Sequence, residues 1–231
     1  MKKHSKRYIE LEKKRTKTIY SLEDAVQLLK EFGNAKFLES VEAHIKLNID
    51  PKYANQQLRT SFVLPHGTGK TSRIAIFTEP DSIEEIRKLG ATLVGADELL
   101  EDMSQGKLNF DILITTPKLM PKLTRLGKIL GPKGLMPSPK SGTVTTDLKQ
   151  ALSEFQKGKL EYRADKTGIV HIPFGKTSFS KEQLLVNALA TYESIEKNKP
   201  IGVKGKYFQS FAICSTMSPG IEVDLTSFKF N

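Results

Sequence analysis

"RIAIFTEPDSIEEIRKLGATLVGADELLEDMSQGKLNFDILITTP", residues 73–117, sets three short apolar runs between charged segments that each close on a glycine. Ile74-Ala75-Ile76-Phe77, Thr92-Leu93-Val94 and Asp111-Ile112-Leu113-Ile114 read as short strands. Asp81 and Asp97 are placed to cap the intervening helices, which stop at Gly90 and Gly106. Thr116-Pro117 opens a further helix, with proline in its first turn. Strands alternating with helices over short connections predict a parallel sheet with helices packed on it. A basic loop rich in glycine and proline follows, then a helix from Asp147 to about Gln156.

Working outward, the rhythm differs on both sides. Upstream, residues 6–17 predict a charged surface helix. Ser21, with Asp24 three residues on, caps a second helix whose apolar stripe is Leu22, Ala25, Val26, Leu28, Leu29 and Phe32. Val41, Ala43, Ile45, Leu47 and Ile49 alternate with Glu42, His44, Lys46 and Asn48, a strand with one buried and one open face. Residues 58–64 read as its partner strand.

Downstream, residues 160–163 and 169–172 read as a hairpin around Asp165-Lys166-Thr167-Gly168. Ser180 and Gln183 open the longest helix, with Leu184, Leu185, Ala188, Leu189, Tyr192 and Ile195 on one side. Strands at 207–214 and 221–225 close the chain. The expected fold is therefore α+β and α/β. Both chain ends, 1–67 and 159–231, build one discontinuous α+β domain, and 68–158 form an inserted Rossmann-like α/β domain. The crossings put Gly67, Gly69 and Gly158 at the hinge. No internal repeat is present.

The 231 residues carry 36 Lys and Arg against 26 Asp and Glu, a net charge of +10. Such an excess calls for an anionic partner, with nucleic acid the default and a membrane surface the alternative. No basic amphipathic helix with bulky aromatic anchors supports the membrane, and no apolar run approaches a spanning length of about 18 residues. The basic N-terminus lacks the apolar core of a secretory signal, and its early acids argue against a transit peptide. Cys214 is the single cysteine, which excludes an internal disulfide and fits a reducing compartment. Residues 1–67 hold 13 basic against 8 acidic side chains, 68–158 hold 13 against 11, and 159–231 hold 10 against 7. The main nucleic-acid surface is thus expected on the domain built from the ends.

"SFVLPHGTGKTSR", residues 61–73, imitates a phosphate loop. The P-loop pattern needs a glycine five positions before Gly69, where Leu64 stands, and needs a helix after the loop. Residues 72–77 read as strand instead. The stretch reads better as an interdomain hinge, with Lys70 placed to touch a backbone phosphate. A nucleotide-binding switch or enzyme using the α/β insert is the alternative from another class.

His4, His44, His66 and His171 have no metal-ligand spacing, and no nucleophile elbow, kinase signature or dinucleotide fingerprint appears. The expectation is no catalytic activity, no cofactor and no metal. Residues 118–140 contain six basic side chains and no acid. Lys128, Lys133 and Lys140 there are either a second RNA contact or a solvated loop stiffened by Pro132, Pro137 and Pro139.

"LGKILGPKGLMPSPKSGTV" at 126–144, "LPHGTGK" at 64–70 and "DKTGIVH" at 165–171 occur in the order found in one family. With "AKFLESVEAHIKL" at 35–47 and "STMSPGIEVD" at 215–224, the chain resembles, over essentially its whole length, the first-numbered ribosomal protein of the large subunit, L-one, of bacterial or plastid type. The resemblance implies binding to large-subunit ribosomal RNA at the base of a mobile side stalk. It further implies movement with that stalk as deacylated transfer RNA leaves the exit site, and repression of its own messenger RNA as in many bacterial members. A monomer when free, with no membrane partner, ribosome-bound in a bacterial cytoplasm or plastid stroma, is expected.

Carried over position by position, the implied RNA surface has three clusters. Lys36, Phe37, Ser40, Glu42 and Lys46 form the first. Phe37 offers a flat apolar face to a base or ribose, or else is an ordinary core residue. Glu42 is suited to accept from a ribose 2′-OH or a base amino group. Asp165, Lys166 and Thr167 with His171 form the second. The third is Ser210, Thr216, Met217, Ser218, Pro219 and Gly220, suited to close packing on a minor groove. Ser218 replaces the family's usual glycine, so its hydroxymethyl group either crowds an approaching RNA or adds a hydrogen bond.

Overall fold

The computed structural model describes residues 5–80, 83–203 and 205–228. The first elements are α1 (Lys6–Lys14), β1 (Ile19–Tyr20), α2 (Leu22–Phe32), β2 (Ser40–Leu47) and β3 (Arg59–Val63). Next come β4 (Ile74–Phe77), α3 (Ile83–Lys88), β5 (Leu93–Gly95), α4 (Asp97–Ser104), β6 (Ile112–Thr115), α5 (Met120–Thr124), α6 (Gly127–Leu130) and α7 (Leu148–Gln156). The last are β7 (Lys159–Arg163), β8 (Ile169–Lys176), α8 (Lys181–Lys197), β9 (Phe208–Ser215) and β10 (Ile221–Val223). The chain divides into two compact units, Met1–Gly69 with Tyr162–Asn231, and Lys70–Glu161.

The first unit is built on β2, whose side chains alternate half-buried and buried along its whole length. It lies inside a five-stranded sheet ordered β1-β10-β9-β2-β8. The β9 and β8 pairings are antiparallel, and β1 joins β10 in parallel. Val41, Ala43 and Ile45 of β2, Val170, Ile172 and Phe174 of β8, and Phe211 and Ile213 of β9 are wholly buried. Helices α2 and α8 pack on each other and on this sheet. At about 25 cal/mol per Å² such apolar burial is the main term holding sheet and helices together.

Both helix starts follow the sequence signals. Ser21 Oγ accepts from Asp24 N at 3.2 Å, and Ser180 with Gln183 forms a reciprocal capping box. The buried side of α8 is turned from its expected stripe. Asn187 and Thr191 are fully buried, while Leu185 and Leu189 are half-buried. The reason is hydrogen bonding. Asn187 Nδ2 donates to Gly67 O at 3.0 Å and Phe174 O at 2.8 Å, and its Oδ1 accepts from His66 N at 3.1 Å. A buried amide satisfied three times is stable where an unpaired one is not.

Three expectations need correction in this unit. Residues 58–64 do not partner β2, because β8 and β9 take both its edges; β3 pairs with β7 instead. The hairpin at 160–172 is present only at its tip. Gly168 N donates to Asp165 O at 3.1 Å, but β7 runs with β3 while β8 joins β2. Gly168 has φ +76°, and a Cβ there would lie 2.9 Å from Ile49 O, so only glycine fits. Finally, α1 is not a bare surface helix: Leu11 is buried, and two arginines of the segment reach a distant loop described below.

The second unit holds the parallel sheet, ordered β5-β4-β6. All four side chains of β4 are buried because they feed two cores. Ala75 and Phe77 pack with Leu99, Met103, Leu123 and Leu130, and Ile74 and Ile76 pack with Ile86, Ile114, Leu152 and Phe155. Helices α4, α5 and α6 thus supply one core, and α3 and α7 the other. Asp147 caps α7, accepting from Gln150 N at 3.0 Å. Asp97 is the first helical residue of α4 rather than its cap, and its carboxylate binds Lys122 at 2.7 Å. The expected cap Asp81 lies outside the described residues. Thr116-Pro117 opens a 3-10 turn and two short helices instead of one helix.

After Thr71 the chain enters the strand β4, not a helix, so GTGKT lacks the amide ring that a phosphate loop uses. Lys70 sits 3.3 Å from Asp111, beside Arg73 at 3.1 Å. Gly67, Gly69 and Gly158 have φ of +64°, +71° and +98°. At Gly69 a Cβ would also lie 2.8 Å from Lys176 Cγ and 2.9 Å from Phe179 Cε1. Among the described residues no helix is long and apolar enough to cross a membrane.

Candidate nucleic-acid interface

The side of β2 away from its buried residues carries Ser40, Glu42, His44 and Lys46, all half-buried. Register extends these into rows across β8 and β9. Glu42 lies between Pro173 and Cys214, His44 between His171 and Ala212, and Lys46 between Ile169 and Ser210. Ser40 pairs with Lys176 on one side, and Thr216 N donates to Ser40 O at 3.1 Å on the other. Members of all three sequence clusters therefore meet on one face of one sheet, with the rest in the loops at its ends.

At the Ser40 end, two loops are tied together. Ser40 N donates to Thr216 Oγ1 at 3.0 Å, and Lys176 Nζ donates to Ser40 Oγ at 2.7 Å. Phe37 and Met217 are 54% and 52% exposed, so Phe37 is not a core residue and two large apolar side chains stand open to solvent. Lys36, Thr216 and Gly220 are exposed, while Pro219 is buried beneath the loop. A Cβ at Gly220 would meet nothing within 4 Å. Ser218 Oγ accepts from Ser215 N at 2.9 Å, so this hydroxyl closes its own turn.

At the other end, Lys46 Nζ donates to Thr167 O, joining β2 to the turn before β8. Asp165 accepts from Ile169 N at 2.8 Å and from the Thr167 hydroxyl and amide at 2.8 and 2.9 Å. These donors, with Ile169 N foremost, hold its carboxyl down at about 2. Lys166 and Thr167 are exposed at the tip. His171 is exposed in the middle of the face, its Nε2 3.7 Å from Asp165 Oδ2.

Glu39 escaped sequence reasoning. It is 1% exposed, and its carboxylate accepts from Ala35 N at 3.0 Å, Ser215 Oγ at 2.7 Å and Met217 N at 2.9 Å. Burial alone would raise its pKa, but these three donors and the positive Arg7 outweigh that and lower it. One buried anion thus sets the loop before β2 against the loop after β9. Arg7 donates to Met217 O at 2.7 Å and Arg15 to Gly220 O at 3.0 Å, so the N-terminal segment braces the same loop from outside. No local signal marks these residues, because all of the partners named here except Ala35 are distant in sequence.

Elsewhere, in the second unit, Lys128, Lys133 and Lys140 are exposed. Among the described residues no three His, Cys, Asp or Glu side chains are grouped to hold a metal ion.

The stretch of sequence that builds this face is matched by a family model. Residues 29–219 match the family described as "Ribosomal protein L1p/L10e family", and the chain belongs to it. Among its relatives is the "Large ribosomal subunit protein uL1c" of Trieres chinensis, 58% identical over 99% of this chain and 100% of that one. The protein of the same name in Guillardia theta is 57% identical over 99% of this chain and 98% of that one. The "Large ribosomal subunit protein uL1" of Prochlorococcus marinus strain NATL1A is 54% identical over 99% of this chain and 97% of that one. All are named as ribosomal proteins, and the chain is a structural protein of this kind rather than an enzyme.

Proposed function

We propose that this large-subunit ribosomal component binds ribosomal RNA at the base of the mobile side stalk through the open face of its five-stranded sheet. The observation that carries the reading is the convergence of three clusters, far apart in sequence, on one face. Phe37 and Met217 present apolar surface to ribose and base, Ser40, Ser210 and Thr216 present hydroxyl groups and backbone to the minor groove, and Lys36, Lys46 and Lys166 meet phosphates. Movement with the stalk as exit-site transfer RNA leaves requires a hinge. The positive-φ glycines Gly67, Gly69 and Gly158 fit that requirement, and the exposed Lys128, Lys133 and Lys140 are available as a second contact. Repression of its own messenger RNA would use the same face. The uL1c and uL1 relatives fit a ribosome-bound protein in a plastid or a bacterial cytoplasm.

The test is titration of a stalk-base RNA hairpin with the full chain and with a chain whose residues 70–161 are replaced by a short linker. Retention of affinity within about tenfold supports the reading. Loss of binding, with tight binding by the isolated 70–161 segment, overturns it.

A further inference from the structure

The centre of the open face is occupied by a pair of imidazoles. His44 Nδ1 lies 2.7 Å from His171 Nδ1, with ring centroids 5.0 Å apart and planes at 64°. Two nitrogens at that distance share a single proton, because two lone pairs or two N–H groups would repel. His44 Nε2 is 3.2 Å from Cys214 Sγ, and His171 Nε2 faces Asp165.

The neighbours decide the direction of the chain. Burial, first, and the charge of Glu42 push the Cys214 thiol up to about 11, so it stays protonated and can donate S–H to His44 Nε2. His44 then carries its hydrogen on Nδ1 and donates to His171 Nδ1. His171 is left with its hydrogen on Nε2, directed at the Asp165 carboxylate. The reverse order would set a bare nitrogen of His171 against that carboxylate.

One added proton keeps the short bond intact. His171 gains a hydrogen on Nδ1 and donates to His44, whose own hydrogen moves to Nε2 opposite the Cys214 sulfur. A second proton would set two cations in contact. Burial, first, and His171 lower the pKa of His44, while Glu42 opposes them, so His44 is the ring that stays neutral. The charged and titratable groups facing the pair are Glu42 on β2, Cys214 on β9 and Asp165 before β8, with Lys46 two positions along β2.

We propose that His44 and His171 form a proton-sharing pair at the centre of the RNA-binding face, and that RNA binding is coupled to uptake of one proton by this pair. The inference rests on the function proposed above. RNA phosphates favour the singly charged pair, so the complex holds more protons than the free protein. Affinity rises as pH falls through the imidazole range, by at most about tenfold per pH unit for one proton. His44 acts as a positioning residue, working through His171.

The test is calorimetric titration of the full chain with the stalk-base hairpin, at constant salt, in buffers of different ionisation enthalpy. The wild type should show net proton uptake of up to one proton per complex across the imidazole range, and the H44Q/H171Q double variant should take up none. Equal uptake by both proteins, or none by the wild type, overturns the inference while leaving the RNA-binding reading intact. Absence of RNA binding at every pH overturns both. Imidazole nitrogen resonances of the wild type alone give an independent check if the double variant fails to fold. One ring charging while His44 stays neutral supports the pair, and two independent full titrations contradict it.

Discussion

Glu39 is the residue on which the geometry of the face most depends. Its carboxylate serves three donors from two loops, and replacement by glutamine leaves one acceptor oxygen and adds an amide NH2 that faces other donors. E39Q is expected to cost about 2 kcal/mol of folding stability and to weaken hairpin binding, read by urea denaturation and RNA titration. Its folded pKa lies below the ordinary 4.5. Its contribution is therefore fully present above that value and is lost as pH falls through the depressed one. At Thr216, valine keeps the shape and removes the hydroxyl that holds Ser40 N. T216V should weaken RNA affinity by about 1–3 kcal/mol, and unchanged affinity would take Thr216 out of the interface. Phe37 came into the candidate surface only through the family motif, since an isolated phenylalanine reads more readily as core. Glu39 was not legible at all, because nothing in "FLESVEA" distinguishes a buried glutamate from a solvated one.

At the scale of elements, local signals did well where they act locally. Ser21, Asp147 and Ser180 begin helices where their caps predict, and the alternation at 41–47 gives β2 with the correct open face. Pairing was not local. Residues 58–64 read as a strand and are one, but their partner depends on β8 and β9 already filling both edges of β2. The turned face of α8 has the same origin, since Asn187 is buried for the sake of backbone groups at His66, Gly67 and Phe174. Removing that amide in N187A leaves those groups unpaired and should cost about 2–3 kcal/mol, measured by chemical denaturation of the full chain. In the other unit, Asp111 is held at about 2 by the side chain and amide of Arg73, then by Lys70. D111N should lower stability by about 1 kcal/mol near neutral pH, the figure being small because the pair is partly solvated. The difference should shrink as pH falls below about 4 and be lost as pH passes below about 2, where the wild-type carboxylate is itself protonated.

For the whole molecule, charge placed the expected nucleic-acid surface on the end-built part of the chain, and the rhythm of residues 73–117 gave the parallel sheet between. The remaining basic loop at 118–140 shows why net charge alone is a blunt guide: its lysines are exposed, yet Lys122 is already paired with Asp97. The most direct measurement is amide hydrogen exchange of the full chain with and without the stalk-base hairpin. Protection is predicted at residues 35–47, 164–171 and 208–220, with the strands and helices of 74–156 unchanged. Protection confined to 118–140, with the sheet face unaffected, would contradict the account.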